Sequence, residues 1–193
     1  MPKAHHVIYV PGITDDVRHV QGIAVRLWGL HGLHGHMHVM PWAGPGVYDA
    51  KHQALLAHID MLAEKGYIVS LVGASAGASA VINAYVERLG TVAKVAYVTG
   101  KINHPETVRP QIYQENPAFK ASLLRLQTNL AKLTADDKAR MRSFYARDDR
   151  TVPYEDTRIP GVAEERLTVL GHAWGIFSAV TIEFYRVARF LKA

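Results

Sequence analysis

The stretch YIVSLVGASAG, residues 67–77, decides the fold. Its first six residues are almost all apolar, as expected of a strand that is covered on both faces of a sheet. The last five read G-x-S-x-G, and the residues from Ser75 to Leu89 have a helical pattern. A serine between such a strand and helix lies on a tight turn that lifts its hydroxyl above the sheet and requires small neighbours. Ser75 is therefore a candidate nucleophile, and the alternative is a serine that only caps the helix.

The rest of the chain alternates between short apolar runs and helical stripes. Strands are predicted at 5–10, 36–42, 92–98, 143–146 and 167–170, in addition to 67–72. Apolar residues recur at helical spacing over 17–30, 52–62 and 177–191. This alternation predicts an α/β fold, a single domain over residues 1–193 with a mainly parallel sheet.

Residues 101–142 break this rhythm and are predicted to form a helical cap insertion. The segment opens with prolines and continues with an amphipathic stripe from Phe119 to Leu133. We expect this segment to roof a substrate pocket, with Leu123 and Leu126 on the pocket wall, because ligands of open α/β sheets bind above the carboxyl ends of the strands. The segment holds eight Lys/Arg and four Asp/Glu, which is +4 of the net charge of +5. A basic cap would favour acidic substrates, although a solvated helix face explains the charges equally well.

A serine hydroxyl is a poor nucleophile near neutral pH and needs an adjacent base. In a strand–turn–helix architecture the acid and the histidine should each follow a later strand. Asp148 and Asp149 follow the predicted strand 143–146, and His172 follows the strand 167–170. The order and spacing suggest the set Ser75, Asp149 and His172.

The elbow at 73–77, the acid loop Asp149-Arg150-Thr151-Val152-Pro153 and the pair Gly171-His172 together resemble the α/β-hydrolase superfamily, in particular its small bacterial serine esterases and lipases. That resemblance implies a compact six-stranded sheet in the order 4-3-5-6-7-8, in the family's strand names, flanked by helices. It also selects Asp149 over Asp148, because the family's acid commonly reads D-x-x-V-P.

The resemblance further implies an oxyanion hole made of two backbone N–H groups, those of Ile13 and Ala76. The turn after the first strand reads Pro11-Gly12-Ile13-Thr14, so a proline replaces the family's usual histidine there. Thr14 and Trp174 are predicted to line the substrate pocket, Trp174 because it lies two residues from His172.

Histidine is abundant, and His34, His36 and His38 would share one face of an extended segment, as a metal site requires. No acidic or cysteine ligand lies near them in the sequence, and we predict no metal site. The chain has no cysteine at all, which excludes disulfides and a cysteine nucleophile. No signal peptide or membrane-spanning run is evident, so a cytoplasmic location is expected.

These observations predict a serine hydrolase that cleaves small to medium acyl esters and needs no cofactor. Its expected partner is a small-molecule ester, with no nucleic acid and no membrane, and the oligomeric state stays open. Lactones and thioesters are alternative substrates for the same residues. A non-catalytic protein of the same fold that binds a ligand is the alternative from another class. A nucleotide site at 73–77 is disfavoured, because the chain lacks a G-x-G-x-x-G pattern and a P-loop lysine.

Overall fold

The computed structural model describes residues 3–13 and 18–193, and its centre is one sheet of six parallel strands. The strands are β1 His5–Val10, β2 His34–Met37, β3 Ile68–Ala74, β4 Val92–Val98, β5 Met141–Arg147 and β6 Ala163–Leu170. Their order across the sheet is β2-β1-β3-β4-β5-β6, which is the order that the resemblance implied. All five pairings are parallel, so the carboxyl ends of the strands meet at one edge.

Helices cover both faces of the sheet. They are α1 Arg18–Leu27, α2 Tyr48–Glu64, α3 Gly77–Glu87, α4 Pro110–Glu115, α5 Pro117–Leu130, α6 Ala135–Ala139, α7 Tyr154–Thr157, α8 His172–Val180 and α9 Phe184–Lys192. None of the described helices is long and apolar enough to cross a membrane. Helices α2, α3 and α5 pack on one face with Ile8 and Val10, whereas α1, α8 and α9 pack on the other with Val7 and Tyr9. The alternation of side chains along β1 therefore divides the core into two layers.

The predicted strand 36–42 is wrong in position, since β2 is His34–Met37. Gly35 precedes the predicted strand but lies within β2, where a Cβ would be 2.2 Å from the Val25 carbonyl oxygen. Glycine is needed there because α1 crosses the edge strand closely. Met40 and Trp42 lie in a turn after β2, where the backbone N–H of Trp42 donates to the Met40 carbonyl. Both side chains are buried.

The last helical stripe is divided into α8 and α9, rather than forming one helix over 177–191. The buried carboxylate of Glu183 lies at the break and accepts hydrogen bonds from the Thr168 N–H at 3.1 Å and the Ser178 hydroxyl at 2.8 Å. Arg186 pairs with the same carboxylate at 2.6 Å. These bonds satisfy a charge that would otherwise be costly to bury.

The segment between β4 and β5 holds a short 3-10 helix at Pro105–Thr107 and helices α4, α5 and α6. Helix α6 begins after Thr134, which forms a reciprocal capping box with Asp137. Helix α5 lies against α3, and its Ser122 hydroxyl bonds the Ser79 hydroxyl at 2.7 Å. The segment is thereby fixed to the body of the protein through α5. Its role as a cap over substrate stays a prediction.

Candidate active site

Ser75 stands on the sharp turn between β3 and α3, with a φ of 52°. That left-handed backbone is strained for a residue with a side chain and is typical of a functional position. Its cause is the close packing of two glycines. A Cβ on Gly73 would lie 2.6 Å from the Gly77 carbonyl oxygen, and one on Gly77 would lie 2.1 Å from the Val10 carbonyl oxygen. The G-x-S-x-G spacing is thus required by contact between strand, turn and helix.

His172 connects Ser75 to a carboxylate. The His172 Nε2 atom lies 3.0 Å from the Ser75 hydroxyl oxygen, and Nδ1 lies 2.7 Å from an Asp149 carboxylate oxygen. An ionised carboxylate can only accept, so Nδ1–H donates to Asp149 and leaves the Nε2 lone pair facing the serine hydroxyl. The imidazole is therefore held in the tautomer that a general base requires.

Asp149 is fixed by its own loop. Its second carboxylate oxygen accepts from the Thr151 N–H at 2.9 Å and the Val152 N–H at 2.8 Å, and its side chain is only 2% exposed. Asp148 is exposed, adopts a φ of 51°, and belongs to the turn that aims Asp149 inward. The structure thus brings Ser75, His172 and Asp149 together and leaves Asp148 outside the set.

The two predicted oxyanion donors flank Ser75. Ala76 is the next residue and is buried, and its N–H donates to no acceptor in the part of the chain that the structure describes. Ile13 lines the cleft beside Ser75. The preceding Gly12 packs so closely that a Cβ there would lie 3.1 Å from the Ser75 Cβ. The elbow therefore leaves the Ala76 amide without an acceptor among the described residues, and the turn after β1 brings Ile13 to the same cleft.

Ser75 opens into a cleft of about 520 Å³, within the range of small-molecule sites. Its walls come from three parts of the chain, namely the turn after β1, the segment after β4 and the acid loop. The lining residues besides Ser75 are Ile13, Lys101, His104, Thr107, Val108, Arg109, Ile112, Phe119, Arg150, Thr151, Val152, Pro153 and Asp156.

The predicted pocket residues require correction. Leu123 and Leu126 are fully buried in the core against α3 and do not line the cleft, because the apolar stripe of α5 packs on the protein body. Trp174, near the start of α8, is 64% exposed to solvent and does not line the cleft. Thr14 lies outside the described residues.

Several residues of this site are not predictable from the sequence. Trp42 donates its indole N–H to the Gly12 carbonyl at 3.1 Å. Lys101 and Asp156 form a buried ion pair on the cleft wall at 2.5 Å. These contacts join residues far apart in the chain, whereas the elbow, the acid loop and the histidine loop each carry a local sequence signal.

A cluster of histidines lies on and beside the edge strand β2, and its members are His6, His34, His36, His38 and His58. His6 Nδ1 lies 2.7 Å from His36 Nε2, and His38 Nδ1 lies 3.4 Å from His58 Nδ1. Burial, then the neighbouring imidazoles, lower the pKa of His6 to about 4, and burial and His58 lower the pKa of His38 to about 4. Within residues 3–13 and 18–193, no three histidine or acidic side chains are arranged to hold a metal ion, His34 and its neighbours included.

Comparison with known proteins identifies the fold. No protein-family model matches the chain, and no curated protein matches its sequence. Among solved structures, Est1E from Butyrivibrio proteoclasticus is 15% identical over 96% of this chain and 88% of its own, with a TM-score of 0.67. The ydeN gene product of B. subtilis is 13% identical over 98% of this chain and 100% of its own, with a TM-score of 0.65.

A third similar structure is MGS-MChE2, an alpha/beta hydrolase enzyme from a sediment metagenome of the lagoon of Mar Chica. It is 14% identical over 96% of this chain and 92% of its own, with a TM-score of 0.58. The chain therefore has the α/β-hydrolase fold, as the resemblance implied. At these sequence identities the similarity establishes the fold alone, and the reaction has to be inferred from the residues of the site.

Proposed function

We propose that this protein is a serine hydrolase of the carboxylesterase type, acting on small to medium acyl esters. The observation that carries the proposal is the continuous line of hydrogen bonds from Ser75 through His172 to Asp149, with lengths of 3.0 and 2.7 Å. A ligand-binding protein has no need for a strained serine, an oriented imidazole and a buried carboxylate in one line.

In the acylation step, the Ser75 oxygen attacks the carbonyl carbon of the ester, and His172 Nε2 takes the hydroxyl proton. The carbon–oxygen bond to the alcohol then breaks, and the imidazolium returns its proton to the leaving oxygen. Asp149 stays ionised and stabilises the imidazolium. A water molecule, deprotonated by His172, releases the acid and restores Ser75. Every proton in these reaction steps moves between His172, Ser75, water and the leaving alcohol.

The negative charge that develops on the carbonyl oxygen requires donors next to Ser75. The N–H groups of Ala76 and Ile13 are the two that we assign to this role. Loss of one such donor typically costs about 3 kcal/mol of transition-state stabilisation. The close contact of Gly12 with Ser75 supports this assignment, because it holds the first turn against the nucleophile.

The size and lining of the cleft support a short or medium acyl chain. Val108, Ile112 and Phe119 supply an apolar wall opposite the acid loop, and the volume of about 520 Å³ suits a small ester. Residues 101–119 supply half of the residues that line the cleft, which supports the predicted role of this segment as a cap.

The test is a panel of para-nitrophenyl esters of increasing acyl length, run beside lactones and thioesters with wild type and Ser75→Ala. We expect the wild type to release nitrophenolate, with highest kcat/KM for short or medium chains. Ser75→Ala should keep its fold by circular dichroism and lose at least a thousandfold in kcat. Preference for a lactone or thioester would reassign the substrate, and activity within about tenfold in the folded alanine variant would refute the mechanism.

A further inference from the structure

Among the described residues that line the cleft of Ser75, basic side chains outnumber acidic ones. Lys101, Arg109 and Arg150 line it, and Asp156 is the one acidic side chain among its described lining residues. Asp156 is neutralised by Lys101, whose ammonium lies 2.5 Å from a carboxylate oxygen. The two arginines therefore leave a net positive charge among the described lining residues, and a cleft lined by one sign of charge attracts ligands of the opposite sign.

Lys101 is held in a fixed position by two hydrogen bonds of its ammonium group. The residue is 5% exposed, and its ammonium donates to the Thr107 hydroxyl at 2.7 Å as well as to Asp156. An ammonium has three N–H groups, so one of them has no acceptor among the described residues. The backbone N–H of Lys101 also donates to the Ser75 carbonyl at 3.3 Å, which ties this residue to the nucleophile turn.

Arg109 and Arg150 are exposed at the mouth of the cleft on opposite segments, one before α4 and one in the acid loop. In the part of the chain that the structure describes, neither forms an ion pair. Arginines elsewhere do pair, as Arg88 does with Asp60 at 2.7 Å and Arg186 with Glu165 at 2.7 Å. The guanidinium groups at the cleft are therefore available to an external anion, and their planar shape matches a carboxylate.

We propose that the substrate of this site is an ester that bears a carboxylate, which Arg109 and Arg150 bind at the mouth while the ester reaches Ser75. This inference rests on the proposed serine hydrolase function and names its substrate class. The apolar wall of Val108 and Ile112 contacts the methylene chain between the two groups. The spare N–H of Lys101 donates to a substrate oxygen inside the cleft.

The experiment compares two esters of equal size. One is the para-nitrophenyl monoester of adipic acid, which ends in a carboxylate, and the other carries an isopropyl group in place of that carboxylate. We expect wild-type kcat/KM to favour the acidic ester by about tenfold or more at low salt. The preference should shrink in about 0.5 M salt, where the Debye length is a few ångströms.

Arg109→Gln and Arg150→Gln should each lower this preference about fivefold, as the loss of an exposed charge contact does. Arg26→Gln is the matched control. It removes the same charge from an exposed residue near the end of α1, which runs from the cleft back to the opposite edge of the sheet, and should leave the preference unchanged.

The outcomes separate this inference from the proposed function. Hydrolysis of the isopropyl ester at a rate equal to or above that of the acidic ester overturns the carboxylate preference and leaves the serine hydrolase in place. A preference that persists in Arg109→Gln/Arg150→Gln refutes the role of the arginines. Failure of the folded wild type to cleave either ester refutes both proposals.

Discussion

The indole N–H of Trp42 donates to the carbonyl oxygen of Gly12 at 3.1 Å. That carbonyl belongs to the same peptide group as the Ile13 N–H, and no peptide bond in the described residues is cis. In a trans peptide the C=O and N–H point in opposite directions. The buried Trp42 side chain therefore fixes the direction of the amide that we assign to the oxyanion.

Trp42→Phe should lower kcat about tenfold, or about 1.4 kcal/mol, with little change in KM. The reason is that the phenyl ring keeps most of the packing but leaves the Gly12–Ile13 peptide free to rotate. Steady-state kinetics with a para-nitrophenyl ester measure the effect. Trp28→Phe is the matched control, because Trp28 is also buried and donates to a carbonyl, that of Val180, at 3.0 Å on the far face. Equal kinetic losses in both variants would argue against the positioning role.

Asp149→Asn should reduce kcat by about 10³- to 10⁴-fold, because an amide cannot hold His172 in the required tautomer. Asp148→Asn should have little effect, since Asp148 is exposed and asparagine tolerates its left-handed backbone. Both variants differ from wild type by the same chemical change at adjacent positions. A larger kcat loss in Asp148→Asn would show that the acid is assigned wrongly.

Val108→Ala should shift the preferred acyl length, because Val108 lines the cleft. Leu123→Val should instead lower the melting temperature, at a cost of about 1 kcal/mol for one buried methylene group, without changing the ranking of esters. Measuring kcat/KM over the ester panel and melting each variant distinguishes the two effects. If Leu123→Val changed the ranking of esters by kcat/KM and Val108→Ala did not, the α5 stripe would have to line the pocket.

The histidine cluster should make stability depend on pH. His6 and His38 have a pKa of about 4 in the folded protein, against 6.5 for an unperturbed histidine. Between these values the unfolded chain binds more protons, so stability present above about pH 6.5 is lost as the pH falls towards 4. The melting temperature should drop from pH 7 to pH 5, and the drop should be smaller in His38→Gln. A melting temperature that is flat over this interval would contradict the burial of neutral imidazoles.

The sequence predicted the parts of the fold that local pattern determines. The bounds of β1 and β4 agree with the prediction to the residue, because both are mainly apolar and end where the chain turns. The elbow at Ser75 was also predictable. Its two glycines are required by close contacts within the turn and with the neighbouring strand, so the requirement is visible as the G-x-S-x-G spacing. His172 and Asp149 were predictable from their place after later strands, and the structure brings them together with Ser75.

The cleft wall was not predictable, because it depends on which surface the amphipathic α5 covers. The stripe with Leu123 can pack on the body or face a pocket, and the pattern is the same in both cases. Lys101 and Asp156 are 55 residues apart in the chain, and they come into contact only when the fold is formed. The role of Trp42 rests on one indole hydrogen bond from a turn that resembles a strand in sequence.

If Ser75 is an activated nucleophile, it should react covalently with a fluorophosphonate. The protein is incubated with a fluorophosphonate, and the intact mass and the modified peptide are determined for wild type and Ser75→Ala. We predict one adduct per wild-type chain, on Ser75, and none on the folded Ser75→Ala protein. A folded wild type that stays unlabelled, or an adduct on a different residue, would contradict the account.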